Sequence, residues 1–255
     1  MNPIDKYNQR AKEINSLLCV GLDSELEKLP ARFREMPNPQ FEFNKWIIAE
    51  THEFAAAFKM NIAFYEARGD QGLKELKMTM DHVRAKIPSV FTICDAKRAD
   101  VGNTNRGYVQ EIFDWLGFDA VTVNPYLGSE ALQPFLGRQD KVSIVLCKTS
   151  NPGSGEFQDK IWQDVAQKFS KYNNCMLVVG ATYPEEMKTI RSLVGDMTFL
   201  VPGIGPQGGD LKKVMGAGLN SAKLGLIINS SRGIIFAEDP KLAAQKPCAE
   251  IRKYL

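Results

Sequence analysis

The chain has only two histidines, His52 and His82, and five cysteines, an odd count with no Cys-x-x-Cys pair. Both histidines fall in stretches of helical character, where an ordinary surface or packed histidine is expected. A histidine-based metal site or a Ser-His-Asp triad therefore has little to draw on. Cys19, Cys94, Cys147, Cys175 and Cys248 sit mostly inside apolar runs, as buried reduced thiols do, rather than disulfides or metal ligands. No run of about 18 uncharged apolar residues suggests a membrane span. The polar opening "MNPIDKYNQRAKEI" lacks the apolar stretch of a secretory signal, so a cytoplasmic location and no membrane partner are expected. The formal charge of +2 is small, and the basic residues are scattered rather than striped. Nucleic acid is thus not an expected partner, although a weak positive bias suits a small anion.

At 255 residues the chain fits one α/β barrel, whose usual size is about 250 residues. Short apolar runs recur at 16–23, 56–63, 89–97, 120–125, 142–149, 175–182, 198–205 and 222–230. Between them, segments such as "QFEFNKWIIAETHEFA" and "NRGYVQEIFDWLG" repeat apolar residues at three- and four-residue steps, the period of an amphipathic helix. Near-continuous apolar strands alternating with helices indicate a parallel sheet covered by helices. Eight such units predict a closed (β/α)8 TIM barrel over an open sheet. No linker, low-complexity segment or repeat divides the chain. Residues 1–255 are expected to form a single domain, with residues 1–15 as an amphipathic helix capping the barrel floor.

In such a barrel the active site lies at the C-terminal ends of the strands. The residues out of place in a core fall there: Asp23 ends the first run, Lys59 lies in the second, Asp95 and Lys97 end the third, Asn124 the fourth, and Thr149 and Ser150 the fifth. Residues two apart on a strand share a face, so Asp95 and Lys97 are expected to point together into the barrel mouth. Lys59, on the adjacent strand, can set its ammonium beside Asp95. Asp100 lies past the strand end and can turn back over the site or out toward a neighbouring subunit. Two unit charges 4 Å apart interact by about 4 kcal/mol at an effective dielectric of 20. Alternating signs can therefore keep all four groups ionised where an isolated buried charge would neutralise. Such an array either preorganises a field for developing charge or merely fixes the barrel rim.

The stretch "VPGIGPQGGD" (201–210), which contains Gly208 and Gly209, follows the seventh run and opens a short helix. Its glycines allow backbone N–H groups to approach an anion closely, in the usual phosphate position of these barrels. Arg232, in "NSSRGI" at the end of the eighth run, can grip phosphate oxygens with a bidentate fork. A tight turn alone would also use these glycines. A dinucleotide site is disfavoured, because the loop comes late and the GxGxxG fingerprint is absent. "NPGSGEF" (151–157) offers a second glycine loop but lacks the Lys-Ser/Thr of a P-loop.

With these residues in place, the chain closely resembles the orotidine 5′-monophosphate decarboxylases, through "VGLD", "FKMNIAFYEARG", "DAKRADVGNT", "TVNPYLG", "KTSNPG", "VPGIGPQGGD" and "INSSRGI". The last few are similar to the longer bacterial subgroup. The most specific element is DxKxxD followed by "VGNT"; the glycine loop and arginine are shared with other phosphate-binding barrels. The resemblance implies formation of UMP in pyrimidine synthesis without metal or organic cofactor. It implies that Lys59, Asp95, Lys97 and Asp100 form the charge network, with Lys97 as proton donor to pyrimidine C6. In the implied homodimer, Asp100 and Thr104 reach the partner's site. Asp23 and Lys59 would hold ribose hydroxyls, Ser150 the pyrimidine amide edge, and Gln207 with Arg232 the phosphate, while Pro202 would sit near the ring.

Two departures stand out: Ala99 replaces the glycine of "KxGD" found in many members, and Met60 and Asn61 are unusual neighbours for Lys59. Neither removes a charged group. Two other readings compete. One is an enzyme similar to the 3-keto-gulonate-phosphate decarboxylases and hexulose-phosphate synthases, which use Mg2+ and would need a carboxylate-rich site. The other is a non-catalytic nucleotide sensor, which would keep the phosphate grip without needing the charge array.

Overall fold

The computed structural model describes residues 3–204 and 209–255. Eight parallel strands close into a barrel in sequence order: β1 (Leu18–Gly21), β2 (Ala57–Asn61), β3 (Phe91–Arg98), β4 (Ala120–Val123), β5 (Val142–Lys148), β6 (Cys175–Val179), β7 (Phe199–Val201) and β8 (Leu226–Ser230). The ring closes where β8 pairs with β1, Ile228 opposite Leu18. Helices of eight residues or more form the outer layer: α1 (Pro3–Ile14), α2 (Pro39–Thr51), α3 (Gly69–Lys86), α4 (Gly102–Val109), α5 (Trp162–Phe169), α6 (Pro184–Val194), α7 (Leu211–Gly218) and α8 (Pro240–Arg252). The strands are buried on both faces, which is why each reads in sequence as an unbroken apolar run.

Two segments depart from simple alternation. The eighth strand starts later than its apolar run, because Lys223 and Gly225 adopt positive φ, 55° and 81°, in a turn that no strand can contain. Between β4 and β5 the chain makes only single-turn helices, Gly128–Ala131 and Gln133–Leu136. Pro125, Gly128, Pro134 and Gly137 punctuate that stretch and prevent a longer helix.

The five cysteines are all buried and reduced, and burial pushes the Cys147 and Cys175 thiols up to about 12. Helix α1 lies against the N-terminal end of the barrel, where buried Tyr7 donates its hydroxyl to the Leu226 carbonyl and Lys6 pairs with Asp119 at 2.8 Å. Arg191 of α6 ties together the loops between α6, α7 and the following strands. Its guanidinium donates to the carbonyls of Gly195, Met197, Gly218 and Gly225 and lies 3.9 Å from the Phe199 ring centroid. No helix among the described residues is long and apolar enough to cross a membrane.

Candidate active site

The C-terminal ends of the strands surround a cavity of about 320 Å³. At the end of β1, a buried polar network fixes the chain. The Tyr65 hydroxyl donates to the Leu22 carbonyl at 2.9 Å and accepts from Ser24 and from Asn44. Asp23, caught between Leu22 and Ser24, accepts from the Asn61 amide at 3.3 Å and stands 3.7 Å from Lys59 Nζ. Register places Lys59 beside Gly21 on one side and Ile93 on the other, one layer below Asp95. Its ammonium reaches up to Asp95 Oδ2 at 3.1 Å.

Lys97 arrives by a different route from the alternation expected of a regular strand. Pairing between β3 and β4 runs from Cys94 opposite Val121 to Arg98 opposite Val123, so β3 carries two extra residues in that interval. Such a bulge re-aims side chains. Lys97 sits in it with φ of 49°, a left-handed conformation disfavoured for a side chain of this size. Its backbone N–H donates to Thr122 Oγ1 at 2.9 Å, its Nζ meets Asp95 Oδ1 at 2.7 Å, and the Thr122 hydroxyl donates to that same Oδ1 at 2.9 Å. Sequence reasoning missed Thr122; its signal was a lone hydroxyl in the apolar run "AVTV".

Burial alone would raise the Asp95 carboxyl, but Lys59 and Lys97 outweigh it and hold the group well below the ordinary aspartate value. Burial alone would likewise lower Lys59, yet the Asp23 and Asp95 carboxylates hold its ammonium above the ordinary lysine value. Asp95 and Lys59 are thus both ionised at neutral pH.

The opposite wall comes from β5 to β8. Gly180 follows β6 and lets the Ser150 backbone pass: a Cβ there would stand 2.8 Å from Ser150 N. Lys148, the last residue of β5, is buried to 1% exposure beneath the segment that follows it. Its ammonium pairs with Asp159 and lies 4.3 Å from the Tyr183 ring centroid. The Thr149 amide donates to Gln158 Oε1 at 2.8 Å, and Ser154 hydrogen-bonds Tyr183 at 3.0 Å. The segment 152–160, which holds most of the glycine-rich "NPGSGEF", is therefore an anchored flap whose stem, Ser150 and Asn151, lines the cavity. Lys148 went unread although, like Lys59, it is a single lysine in an apolar run. After β7, Pro202 and Gly203 line the cavity, Gly203 with φ of 97°. Near the end of β8 lies Asn229, whose Oδ1 is buried without a hydrogen-bond partner among the described residues, and past the strand comes exposed Arg232.

Of the sequence-predicted residues, Asp23, Lys59, Asp95, Lys97, Ser150, Pro202 and Arg232 meet in this one cavity. Asp100 and Thr104 do not line it. The Asp100 carboxylate accepts from the Val101 amide at 2.6 Å, its own N–H donates to Asn105 Oδ1 at 3.0 Å, and exposed Thr104 lies in the first turn of α4. Within one chain the alternating array is therefore Asp23, Lys59, Asp95 and Lys97, with Asp100 outside it. Gly209 bridges back to Ile204, its N–H 3.1 Å from the Gly203 carbonyl, and does not line the cavity. Gln207 and Gly208 lie outside the described residues. Asn124 caps a turn, accepting from the Tyr126 amide.

Fold and site together define a barrel enzyme whose cleft sets lysine and aspartate side chains against an exposed arginine. Residues 16–246 match the family described as orotidine 5′-phosphate decarboxylase / HUMPS. The chain is 43% identical over 251 residues to the orotidine 5′-phosphate decarboxylase of Cellvibrio japonicus, covering 94% of this chain and 91% of that one. It is 45% identical over 233 residues to that of Christiangramia forsetii, covering 88% and 85%. The solved OMP decarboxylase of Leishmania donovani superposes with a TM-score of 0.88 at 39% identity, covering 100% of this chain and 99% of that one. The chain belongs to the orotidine 5′-phosphate decarboxylase / HUMPS family, and its 43–45% identity to decarboxylases over most of its length marks it as a carboxy-lyase.

The depressed Asp95 carboxyl gives a signed pH dependence. An unfolded aspartate titrates near pH 4, so the stabilisation due to ionised Asp95 is present above about pH 4 and lost as pH falls toward the lower folded value. The raised Lys59 ammonium loses its contribution only above about pH 10. Urea unfolding should show a level difference between the native protein and Asp95→Asn from about pH 5 to 8, with the native protein losing ground below about pH 4. A difference that drifts between pH 5 and 8 contradicts this assignment.

Proposed function

We propose that the chain converts orotidine 5′-monophosphate to UMP in the cytoplasm, as the last step of pyrimidine nucleotide synthesis, with no metal or organic cofactor. The observation that carries this reading is that, among the described residues, one cleft holds Lys59, Lys97 and Arg232 against only Asp23 and Asp95. That leaves positive charge for a substrate with two anionic groups, a carboxylate and a phosphate. The relatives named orotidine 5′-phosphate decarboxylase support the choice of substrate.

The C6–carboxylate bond breaks heterolytically, CO2 departs, and the electron pair stays on C6 in the ring plane, where no π-system can delocalise it. The Lys97 ammonium stabilises that charge and delivers its proton to C6; the resulting amine is reprotonated from water. Asp95 holds the Lys97 ammonium aimed into the cleft, so the favourable field exists before the reaction starts. Asp23 and Lys59 hold the ribose hydroxyls, Ser150 the pyrimidine amide edge, and Pro202 packs near the ring. Arg232, with Gln207 and Gly208 of the glycine loop, grips the phosphate, and Gly209, outside the cavity, holds the loop's return through its bond to Gly203. Binding energy from these remote groups is expressed at the transition state.

Asp100 and Thr104 serve the partner's site in a homodimer. Support comes from their position outside this chain's own cavity and from apolar side chains on the β3 and β4 loops, Val101 at 55%, Tyr126 at 79% and Leu127 at 47% exposure. The carboxylates at the mouth are engaged with ammonium groups, Asp95 with two and Asp23 with one. That arrangement favours a metal-free reaction over the Mg2+-using one.

Loss of orotidine 5′-monophosphate absorbance in EDTA, abolished in Lys97→Ala, is the expected result. Activity that needs added Mg2+ would point to the metal-using relatives, and binding of UMP without turnover to a sensor. For the shared site, Lys97→Ala and Asp100→Ala proteins should each be inactive alone. Mixed and allowed to exchange subunits, they should recover activity, because half of the heterodimer's sites carry both native residues. No recovery after demonstrated exchange would place Asp100 in its own chain's chemistry.

A further inference from the structure

The two histidines, which have no part in the cleft, line a second cavity near the opposite, N-terminal end of the barrel. It measures about 330 Å³ and is walled by Arg10 of α1, by Ile48, Ala49 and His52 at the end of α2, and by His82, Lys86 and Ile87 at the end of α3. Among the described residues no carboxylate lines it. Arg10 donates through Nη2 to the His52 carbonyl at 2.8 Å, while its Nε is shut off from water with no hydrogen-bond partner among the described residues. His52 Nδ1 faces the Ala49 carbonyl at 3.0 Å and must be the donor there, which leaves Nε2 for another partner. His82 stands edge-on to Phe41.

The C-terminal ends of α2 and α3 converge on this cavity, each carrying roughly half a negative charge. Their sum offsets about one of the two permanent cations. Glu13 acts on Arg10 from outside the described lining, while Lys86 faces two imidazoles and the apolar walls of Ile48, Ala49 and Ile87 with no carboxylate among the described lining residues. A site with a few convergent cationic donors on an otherwise apolar lining selects a ligand that is charged at one end and apolar over its body. We propose that this cavity is a second binding site, for a small organic anion such as a phosphate monoester with an aromatic or aliphatic body. Its anionic end is held by Arg10 and Lys86, and its body packs on Ile48, Ala49 and Ile87.

The proposal predicts a proton linkage. The titratable and charged groups around the imidazoles are Arg10 and Glu13 from α1, Glu42, Lys45 and His52 on or next to α2, and His82 and Lys86 from α3; Glu53 is engaged with Lys241 of α8 at 3.6 Å. Burial, and then Lys45 and Lys86, hold His82 below the ordinary histidine value. A bound anion opposes both lysines, so His82 should protonate more readily in the complex.

Because the chain has only two histidines and both line this cavity, their imidazole C–H proton resonances report on it alone. Phenyl phosphate added to the full-length protein should shift both signals along one saturating curve, with a Kd of about 1 mM or tighter, and should raise the His82 midpoint. Lys86→Met, at an exposed helix end, should weaken binding about tenfold, and Arg10→Met with Lys86→Met should remove the saturable shift. Both variants should keep decarboxylase turnover, which shows that the fold is intact and separates this test from that of the cleft. Shifts linear in ligand concentration, saturation that survives the double substitution, or equal saturation by neutral benzyl alcohol would each overturn the proposal.

Discussion

The Asp95 carboxylate is shared by two ammonium groups, and the rest of the cleft is organised around that fact. Taking a charge out of water costs several kcal/mol, so Lys59, only 4% exposed, can stay charged only with carboxylates against it. Asp23 and Asp95 supply them, and Asp95 in turn is held by Lys59, Lys97 and Thr122. Barrel register puts Lys59 one layer below the mouth. The bulge in β3 then brings Lys97 over Asp95 in a backbone conformation that costs energy by itself. A conformation of that kind persists because the surrounding bonds over-determine it, here the Thr122 hydroxyl and the Asp95 carboxylate.

The facing wall has a different physical character. Lys148 buries its charge beneath the 152–160 flap, and the flap's contacts through Asp159, Gln158 and Ser154 make it a fitted part of the wall. Arg232, in contrast, is exposed at the rim, where a charged ligand can reach it first. A rigid field on one side and accessible binding groups on the other is the division expected when remote binding energy is used to drive chemistry.

The barrel was legible in the sequence because strands buried on both faces read as apolar runs, and charged residues ending such runs could only lie at a strand end. Asp23, Lys59, Asp95, Lys97, Ser150, Pro202 and Arg232 were found on that logic or through the family resemblance. The bulge was not legible: alternation gave the correct facing for Asp95 and Lys97 by the wrong route, since a register shift depends on pairing with β4. Thr122 and Lys148 escaped because a single polar residue in an apolar run has no meaning until its tertiary partner is known. The membership of Asp23 rather than Asp100 in the single-chain array depends on loop paths that no local pattern encodes.

The most direct test of the central claim uses the product alone. If Lys97 protonates a C6 carbanion, microscopic reversibility requires the enzyme to exchange the C6 proton of UMP with solvent. Proton NMR of UMP incubated in D2O should show loss of the C6 signal with the native enzyme and none above background with Lys97→Ala. No exchange with the native enzyme, or undiminished exchange without Lys97, would contradict the account.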